Sequence, residues 1–182
     1  PFRMGQQPDM AFPTNADKVL DLLKPFAHVA TLHGHDHENC RHFVEHIEIM
    51  TTAAVAGPWW KNGLDSRCEW GHEPQGYRMI EVDDYGAIGN RFIAYVPEQD
   101  QPAEFYLHEA SGRRFINVYD ASPKTRVDAG DLGPLAAIDP HAESSIGLGT
   151  HLYELPSDFD RRTLETRIVF EDGRTCELLL QY

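Results

Sequence analysis

The sequence has few cysteines, and none of them form a pair at metal-ligand spacing. Cys40, Cys68 and Cys176 are the only 3 cysteines among 182 residues, and they are widely separated. This odd, scattered set allows at most one disulfide and excludes a disulfide scaffold, a zinc knuckle of C-x-x-C pairs and a redox dithiol. Any metal site in this chain is therefore expected among histidines and carboxylates.

Long apolar runs and an excess of positive charge are also absent. No segment approaches the roughly 18 apolar residues of a membrane-spanning helix, and the opening residues lack the pattern of a signal peptide. The 16 Lys and Arg residues are outnumbered by 29 Asp and Glu, giving a net charge of −13 that repels a phosphate backbone. We therefore expect a soluble protein that neither spans a membrane nor binds nucleic acid. The sequence assigns no cellular compartment and no oligomeric state.

Histidine, by contrast, is concentrated in one stretch. The chain has 10 histidines, and His28, His33, His35, His37, His42 and His46 are close together in the N-terminal quarter. Before the densest part, ADKVLDLL predicts a short helix that Pro25 ends, and the apolar run 29–32 predicts a buried strand. The histidines after that strand fall on a loop at its end, where α/β sheets commonly bind ligands.

The strongest motif in this stretch is Gly34-His35-Asp36-His37. Two imidazoles one residue apart can bind one metal ion or two adjacent ions, and neutral imidazole suits Zn, Fe, Mn, Ni and Cu. Two histidines do not hold a catalytic metal alone, so further ligands are required. The alternative is a solvated histidine-rich loop or a packing cluster.

The second half of the chain has a different pattern. The segment PEQDQPAE at 97–104 is typical of a linker. After it, short strand-like segments alternate with Gly, Pro and Asp clusters, and the pattern indicates no further helix. This favours a small β-sandwich or barrel, with Asp172-Gly173 supplying the positive φ angles of a tight hairpin.

Four elements in the same order resemble the end of the catalytic domain of calcineurin-like metallophosphoesterases, specifically the bacterial-type group with an extra C-terminal domain. They are the helix and strand that end in GHDH, the β segment HFVEHIEIM, the small residues and tryptophan pair of AAVAGPWW, and the element from Gly71 to Tyr77. In the second half, the segment from His151 to Pro156 resembles the accessory domain of the same group.

The resemblance implies a fold class and a division into domains. Residues 1–98 would form the α/β end of a metallophosphoesterase β-sandwich domain. Residues 104–182 would form a small all-β, sandwich-like accessory domain.

The resemblance also implies a dinuclear site. His35 and His37 would bind different ions of a pair of divalent or trivalent metals (Fe, Mn or Zn), which would activate a water molecule to hydrolyse a small-molecule phosphoester. Trp59, Trp60 and Tyr77 are candidate substrate-binding residues. The alternatives are that the tryptophans divide between core and interface and that Tyr77 is a core residue at the start of a strand. No catalytic acid or base is assigned.

In this family the remaining metal-ligand blocks precede G-H-x-H, and none of them occurs before Gly34. We therefore expect the chain to be the C-terminal part of a longer enzyme, inactive alone, with an exposed apolar edge at 29–32 and 47–50 where further strands would pair. The alternative is a β-rich binding or interaction module with one structural metal ion or none, which needs no upstream sequence.

Overall fold

The computed structural model describes residues 15–34, 39–52, 76–94, 101–108, 111–138 and 151–181. These residues are mostly β-strands in several sheets, with one short α-helix. This confirms a β-rich fold in coarse outline. None of the helices in the described ranges is long and apolar enough to cross a membrane.

The N-terminal elements are one helix and a three-stranded sheet. Helix α1 spans Ala16–Leu23, and strands β1, β2 and β3 span Ala30–His33, Cys40–Val44 and Ile47–Thr51. The helix buries Leu20 and ends just before Pro25. The strand order is β1-β3-β2, with β1 parallel and β2 antiparallel to the central strand β3.

The segment HFVEHIEIM, predicted as a single β segment, is divided by a turn at Glu45 and His46. Glu45 has a φ of 56°, a left-handed conformation that glycine or asparagine usually adopts, so the sequence carries no turn signal here. Ile47, Ile49 and Met50 on the central strand β3 are fully buried, and Ile47 and Ile49 share an apolar cluster with Leu20 of helix α1. The expected exposed edge is therefore wrong for 47–50, whereas Leu32 on β1 is 61% exposed as expected.

Strands β4 (Gly76–Val82) and β5 (Ile88–Ala94) form an antiparallel hairpin. The Asp83 carboxylate stabilises its turn by accepting hydrogen bonds from the backbone N–H groups of Tyr85 and Ala87, at 2.9 and 2.8 Å. Gly76 allows the two strands to meet closely, because a Cβ there would collide with the Phe92 ring.

The C-terminal elements form two four-stranded sheets. Their strands are β6 (Ala103–His108), β7 (Arg113–Val118), β8 (Arg126–Asp128), β9 (Pro134–Leu135), β10 (Ala137–Ile138), β11 (Leu152–Glu154), β12 (Thr163–Val169) and β13 (Thr175–Gln181). One sheet has the order β10-β11-β7-β6 and the other β13-β12-β8-β9. Strand β12 alternates exposed residues with buried Leu164, Thr166 and Ile168. The two sheets share one apolar core.

The predicted hairpin between β12 and β13 is present, but its turn differs from the expected one. Only Gly173 has a positive φ, of 85°, whereas Asp172 does not. The Gly173 N–H donates to the Phe170 carbonyl at 3.0 Å, and the Phe170 N–H donates to the Arg174 carbonyl at 2.9 Å. This is the longer type of hairpin loop, with one left-handed glycine after the turn.

Candidate functional site

Strand pairing brings together the carboxyl ends of β1 and β3, which two segments of functional interest directly follow. His33 at the end of β1 pairs with Thr51 at the end of β3, and the Thr52 N–H donates to the His33 carbonyl at 3.1 Å. Because β1 and β3 are parallel, their carboxyl ends lie on the same side of the sheet. Gly34 there leads into residues 35–38, and Thr52 leads into residues 53–75.

Of the five predicted site residues, the structure describes only Tyr77. His35, His37, Trp59 and Trp60 lie outside the described residues, in the two segments that leave this edge. Tyr77 is described: it is the second residue of β4 and is 39% exposed. Its place in substrate binding stays a prediction.

The buried guanidinium of Arg78 contacts the residues that border the segments 35–38 and 53–75. The Arg78 side chain is 3% exposed. Its Nη2 donates to Asn39 Oδ1 at 2.7 Å and its Nε to Thr52 Oγ1 at 3.4 Å. Its Nη1 donates to Asn90 Oδ1 at 2.6 Å and to Asp120 Oδ1 at 2.7 Å. Asn39 directly follows the segment 35–38, and Thr52 directly precedes the segment 53–75, so one side chain fixes an end of each.

A second buried guanidinium, Arg41 on β2, lies in the same network. Its side chain is 2% exposed. Its Nε donates to Glu48 Oε1 at 2.8 Å and its Nη1 to the Asp120 carbonyl at 3.0 Å, and its Nη2 forms ion pairs with Glu48 and Glu171. Arg41 therefore joins strands β2 and β3 to the C-terminal half of the chain.

The C-terminal half contributes further acceptors to this network. The Asp120 carboxylate, 5% exposed, also accepts from Arg174 Nη2 at 3.3 Å. The Asn39 amide donates to the Tyr119 carbonyl, and Ser122 Oγ donates to Glu171 Oε2 at 2.8 Å. We call the residues Asn39, Arg41, Glu48, Arg78, Asn90, Asp120, Glu171 and Arg174 the arginine network. It spans both sides of the predicted linker at 97–104.

The electrostatics of the arginine network favour a supporting role. Burial lowers the pKa of Arg41, and the nearby Asp120 and Glu48 carboxylates partly offset this effect. Burial alone would raise the pKa of the neighbouring Asp172, but hydrogen bonds from Arg174 lower it below its usual range. Because carboxylates already neutralise the guanidiniums, the network is suited to holding backbone in place rather than to binding a phosphate.

Other histidines of the chain have local contacts. A ring nitrogen of His46 lies 2.8 Å from the Phe26 carbonyl oxygen, and Nδ1 of the buried His151 lies 2.9 Å from Asn117 Oδ1. Within the described residues, which leave out His35 and His37, no three His, Cys, Asp or Glu side chains group closely enough to hold a metal ion.

A shallow groove of about 500 Å³ lies on the C-terminal sheet of β8, β9, β12 and β13. It contains none of the predicted site residues. Its lining residues are Arg126, Val127, Asp128, Pro134, Arg167, Val169 and Thr175. Cross-strand pairing brings these residues together, because Arg126 pairs with Val169 and Arg167 pairs with Asp128.

Sequence reasoning missed both the arginine network and this groove. Each depends on partners that are distant in the chain, and Arg41 and Asp120 are separated by 79 positions. The one local signal is an arginine within a strand rich in apolar residues, as at Arg41 in CRHFV and Arg78 in GYRMIEV.

Comparisons with protein-family models, with curated proteins and with solved structures find no match for this chain.

Proposed function

We propose that this chain is the C-terminal part of a metal-dependent phosphoesterase of the calcineurin-like type. His35 and His37 bind its two metal ions together with ligands from sequence upstream of Pro1. The parallel pairing of β1 with β3 is the observation that supports this most, because the segments carrying the histidines and the tryptophan pair leave the sheet at one edge. A catalytic site built from loops at a sheet edge requires such convergence.

The residues of this chain fit the proposed metals in chemistry. Neutral imidazoles are good ligands for Zn, Fe and Mn, and His35 and His37 are separated by one residue in the sequence. When bound, such a metal pair lowers the pKa of a coordinated water and neutralises phosphoryl oxygens. Trp59, Trp60 and Tyr77 would contact the organic part of the phosphoester, since aromatic faces commonly line ligand pockets.

The exposed side of the N-terminal sheet also supports an incomplete catalytic domain over residues 1–98, with the accessory domain over residues 104–182. Within the described ranges β1 pairs with β3 alone, so its other edge is available to a further strand. Leu32 on that strand is 61% exposed, and Leu22 and Phe26 before it are 74% and 62% exposed. Such apolar side chains are expected where neighbouring elements pack.

The test is hydrolysis by a longer chain that includes the coding sequence upstream of Pro1. With Mn²⁺, Fe²⁺ or Zn²⁺ supplied, we expect cleavage of p-nitrophenyl phosphate or its diester. His35→Ala and His37→Ala should each lower kcat/KM by about 100-fold or more, since even residues that only orient metal ligands are worth roughly 10–100-fold. His46→Ala is the matched control from the same histidine-rich stretch and should retain activity. Full activity in the His35→Ala/His37→Ala double variant would show the assignment to be wrong.

The groove on the C-terminal sheet favours one other candidate, a β-rich binding or interaction module. Arg126 and Arg167 line it with opposite-charge and apolar neighbours, a mixed surface suited to a polar ligand. This candidate predicts no hydrolysis by the longer chain with any of the three metals. It also predicts that residues 1–182 alone form a stable monomer, which sedimentation velocity would measure.

A further inference from the structure

We propose that the groove on the C-terminal sheet binds a small molecule with one carboxylate and an apolar body, and that Arg126 holds the carboxylate. The inference goes beyond the phosphoesterase activity, because it requires neither a metal ion nor sequence upstream of Pro1. It also names a ligand class that the binding-module alternative leaves open. All the residues that carry it lie on strands that the structure describes.

Strand pairing puts two arginines of the groove within reach of each other. Arg126 on β8 is directly opposite Val169 on β12, and Asp128, two residues further along β8, is opposite Arg167. Arg126 and Arg167 are therefore diagonal neighbours on adjacent strands, a separation that long side chains can bridge. All four residues line the groove. Two guanidiniums can thus converge on one anion beside an apolar side chain.

Arg126 is the cation of this pair that no carboxylate neutralises. Arg167 is opposite Asp128 on one side and Glu177 on the other, and its Nε lies 3.9 Å from Glu177 Oε1. Arg126 has Val169 opposite it, and among the described residues it forms no ion pair. The chain as a whole carries a net charge of −13, so most of its surface repels anions. The groove is therefore a place where an anionic ligand is favoured.

The charges of the groove favour a monoanion over a dianion. Two arginines and one aspartate line it, which leaves an excess of one positive charge. A carboxylate matches that excess, whereas a phosphate monoester carries about −1.5 to −2 at pH 7 and would also lie beside Asp128. Guanidinium and carboxylate also fit each other through two parallel hydrogen bonds. The ligand class is therefore a monocarboxylate.

The neighbours of the arginines define the rest of the ligand. Val169 is half-buried between Arg126 and Thr175 on the two adjacent strands, and Pro134 lies on the other side of β8, opposite Asp128. A ring or short alkyl chain attached to the carboxylate can pack on the valine and proline side chains. The groove volume of about 500 Å³ is within the range of small-molecule sites.

The experiment measures the binding of three probes to residues 1–182 by saturation-transfer NMR. Benzoate carries a carboxylate and an apolar ring, benzamide has the same shape without the charge, and phenyl phosphate carries a dianion. We expect benzoate to bind about 10-fold more tightly than benzamide, because charge-assisted hydrogen bonds are stronger than neutral ones. Benzoate should also bind more tightly than phenyl phosphate. Equal or tighter binding of either other probe would overturn the ligand class.

Variants locate the binding in the groove. Arg126→Gln should weaken benzoate binding about 10-fold, the expected cost of losing a charged hydrogen-bond donor, and Arg126→Gln/Arg167→Gln should weaken it further. Arg161→Gln is the matched control, because Arg161 is also solvent-exposed but pairs with Asp131 outside the groove. Benzoate binding that is absent in the wild type, or equal in the double variant and the control, would overturn the inference. Hydrolysis by the longer chain tests the proposed function alone, so the two proposals fail independently.

Discussion

The two halves of the molecule are stabilised in different ways. The C-terminal half buries a large apolar cluster between its two sheets, in which Ile116, Val118 and Ile168 are fully buried. In the N-terminal half, residues 15–34, 39–52 and 76–94, the cluster around Leu20, Ile47 and Ile49 is much smaller. The N-terminal half therefore has less apolar burial of its own, and its buried charges contact the C-terminal half instead.

Hydrophobic burial and charge-assisted hydrogen bonds constrain a structure in different ways. Hydrophobic burial is strong but has no direction, so it stabilises a sheet packing without fixing a particular loop end. Charge-assisted hydrogen bonds of arginine have defined directions and fix the groups they contact. The arginine network lies where two chain segments leave the sheet, which is where direction matters most.

The largest expected effect comes from removing Arg41. Arg41→Ala leaves Glu48, Asp120 and Glu171 buried with one cation fewer, and the loss of one partner of a buried ion pair typically costs about 3–5 kcal/mol. We expect a fall of this size in the free energy of unfolding, measured in urea. Hydrogen exchange should show strands β2 and β3 opening before β12 and β13.

The control for this prediction is Arg161→Ala. Arg161 pairs with Asp131 at 2.7 Å, but both side chains are solvent-exposed, so the change should hardly affect stability. If β12 and β13 opened first in Arg41→Ala, the contrast between the two halves would be wrong.

A smaller effect concerns alkali and the C-terminal core. Tyr153 is 1% exposed, and its hydroxyl donates to the Thr125 carbonyl at 3.3 Å. Burial raises the pKa of Tyr153, because it disfavours the phenolate. The unfolded chain, with a tyrosine pKa of about 10, therefore loses this proton first, and the contribution of Tyr153 to stability is full below about pH 10 and falls as the pH rises further.

Replacing Tyr153 with Phe should lower the free energy of unfolding at pH 8 by about 1 kcal/mol, the usual worth of one hydrogen bond. Above pH 10 the wild type should lose stability more steeply than the variant, and urea titrations at several pH values measure the difference. Parallel slopes in the two proteins would mean that Tyr153 is not the group that titrates.

Local signals in the sequence predicted several elements correctly. Pro25 ends helix α1, and Gly173 supplies the left-handed residue of the last hairpin. The apolar run before Gly34 forms β1, but the prediction of a buried strand there is wrong, because β1 is an edge strand within the described sheet and Leu32 is exposed. The turn at Glu45 could not be predicted, because nothing in glutamate favours a positive φ; the surrounding strand pairing imposes it.

The candidate site could be predicted only as a sequence motif. The G-H-x-H sequence indicates a ligand loop after a strand, and β1 does end just before it. That β3 runs parallel to β1 depends on a pairing between distant segments, and the hydrogen bond from Arg78 to Asp120 joins residues 42 positions apart. Contacts at such separations follow from the whole fold, and local patterns in a sequence do not reveal them.

The smallest expected change in stability comes from the exposed leucines at two sheet edges. Leu32 on β1 is 61% exposed and Leu179 on β13 is 58% exposed, and both strands are edge strands within the described sheets. Leu32→Lys and Leu179→Lys should each change the free energy of unfolding by no more than about 0.5 kcal/mol.

The effects of these two substitutions on self-association should differ, because Leu32 belongs to the half that also exposes Leu22 and Phe26. The exposed apolar edge predicts that residues 1–182 self-associate, so sedimentation velocity at increasing concentration should show a clear loss of association for Leu32→Lys and little for Leu179→Lys. An equal loss of association in both variants would contradict the prediction that the N-terminal sheet edge at Leu32 is the main site of self-association.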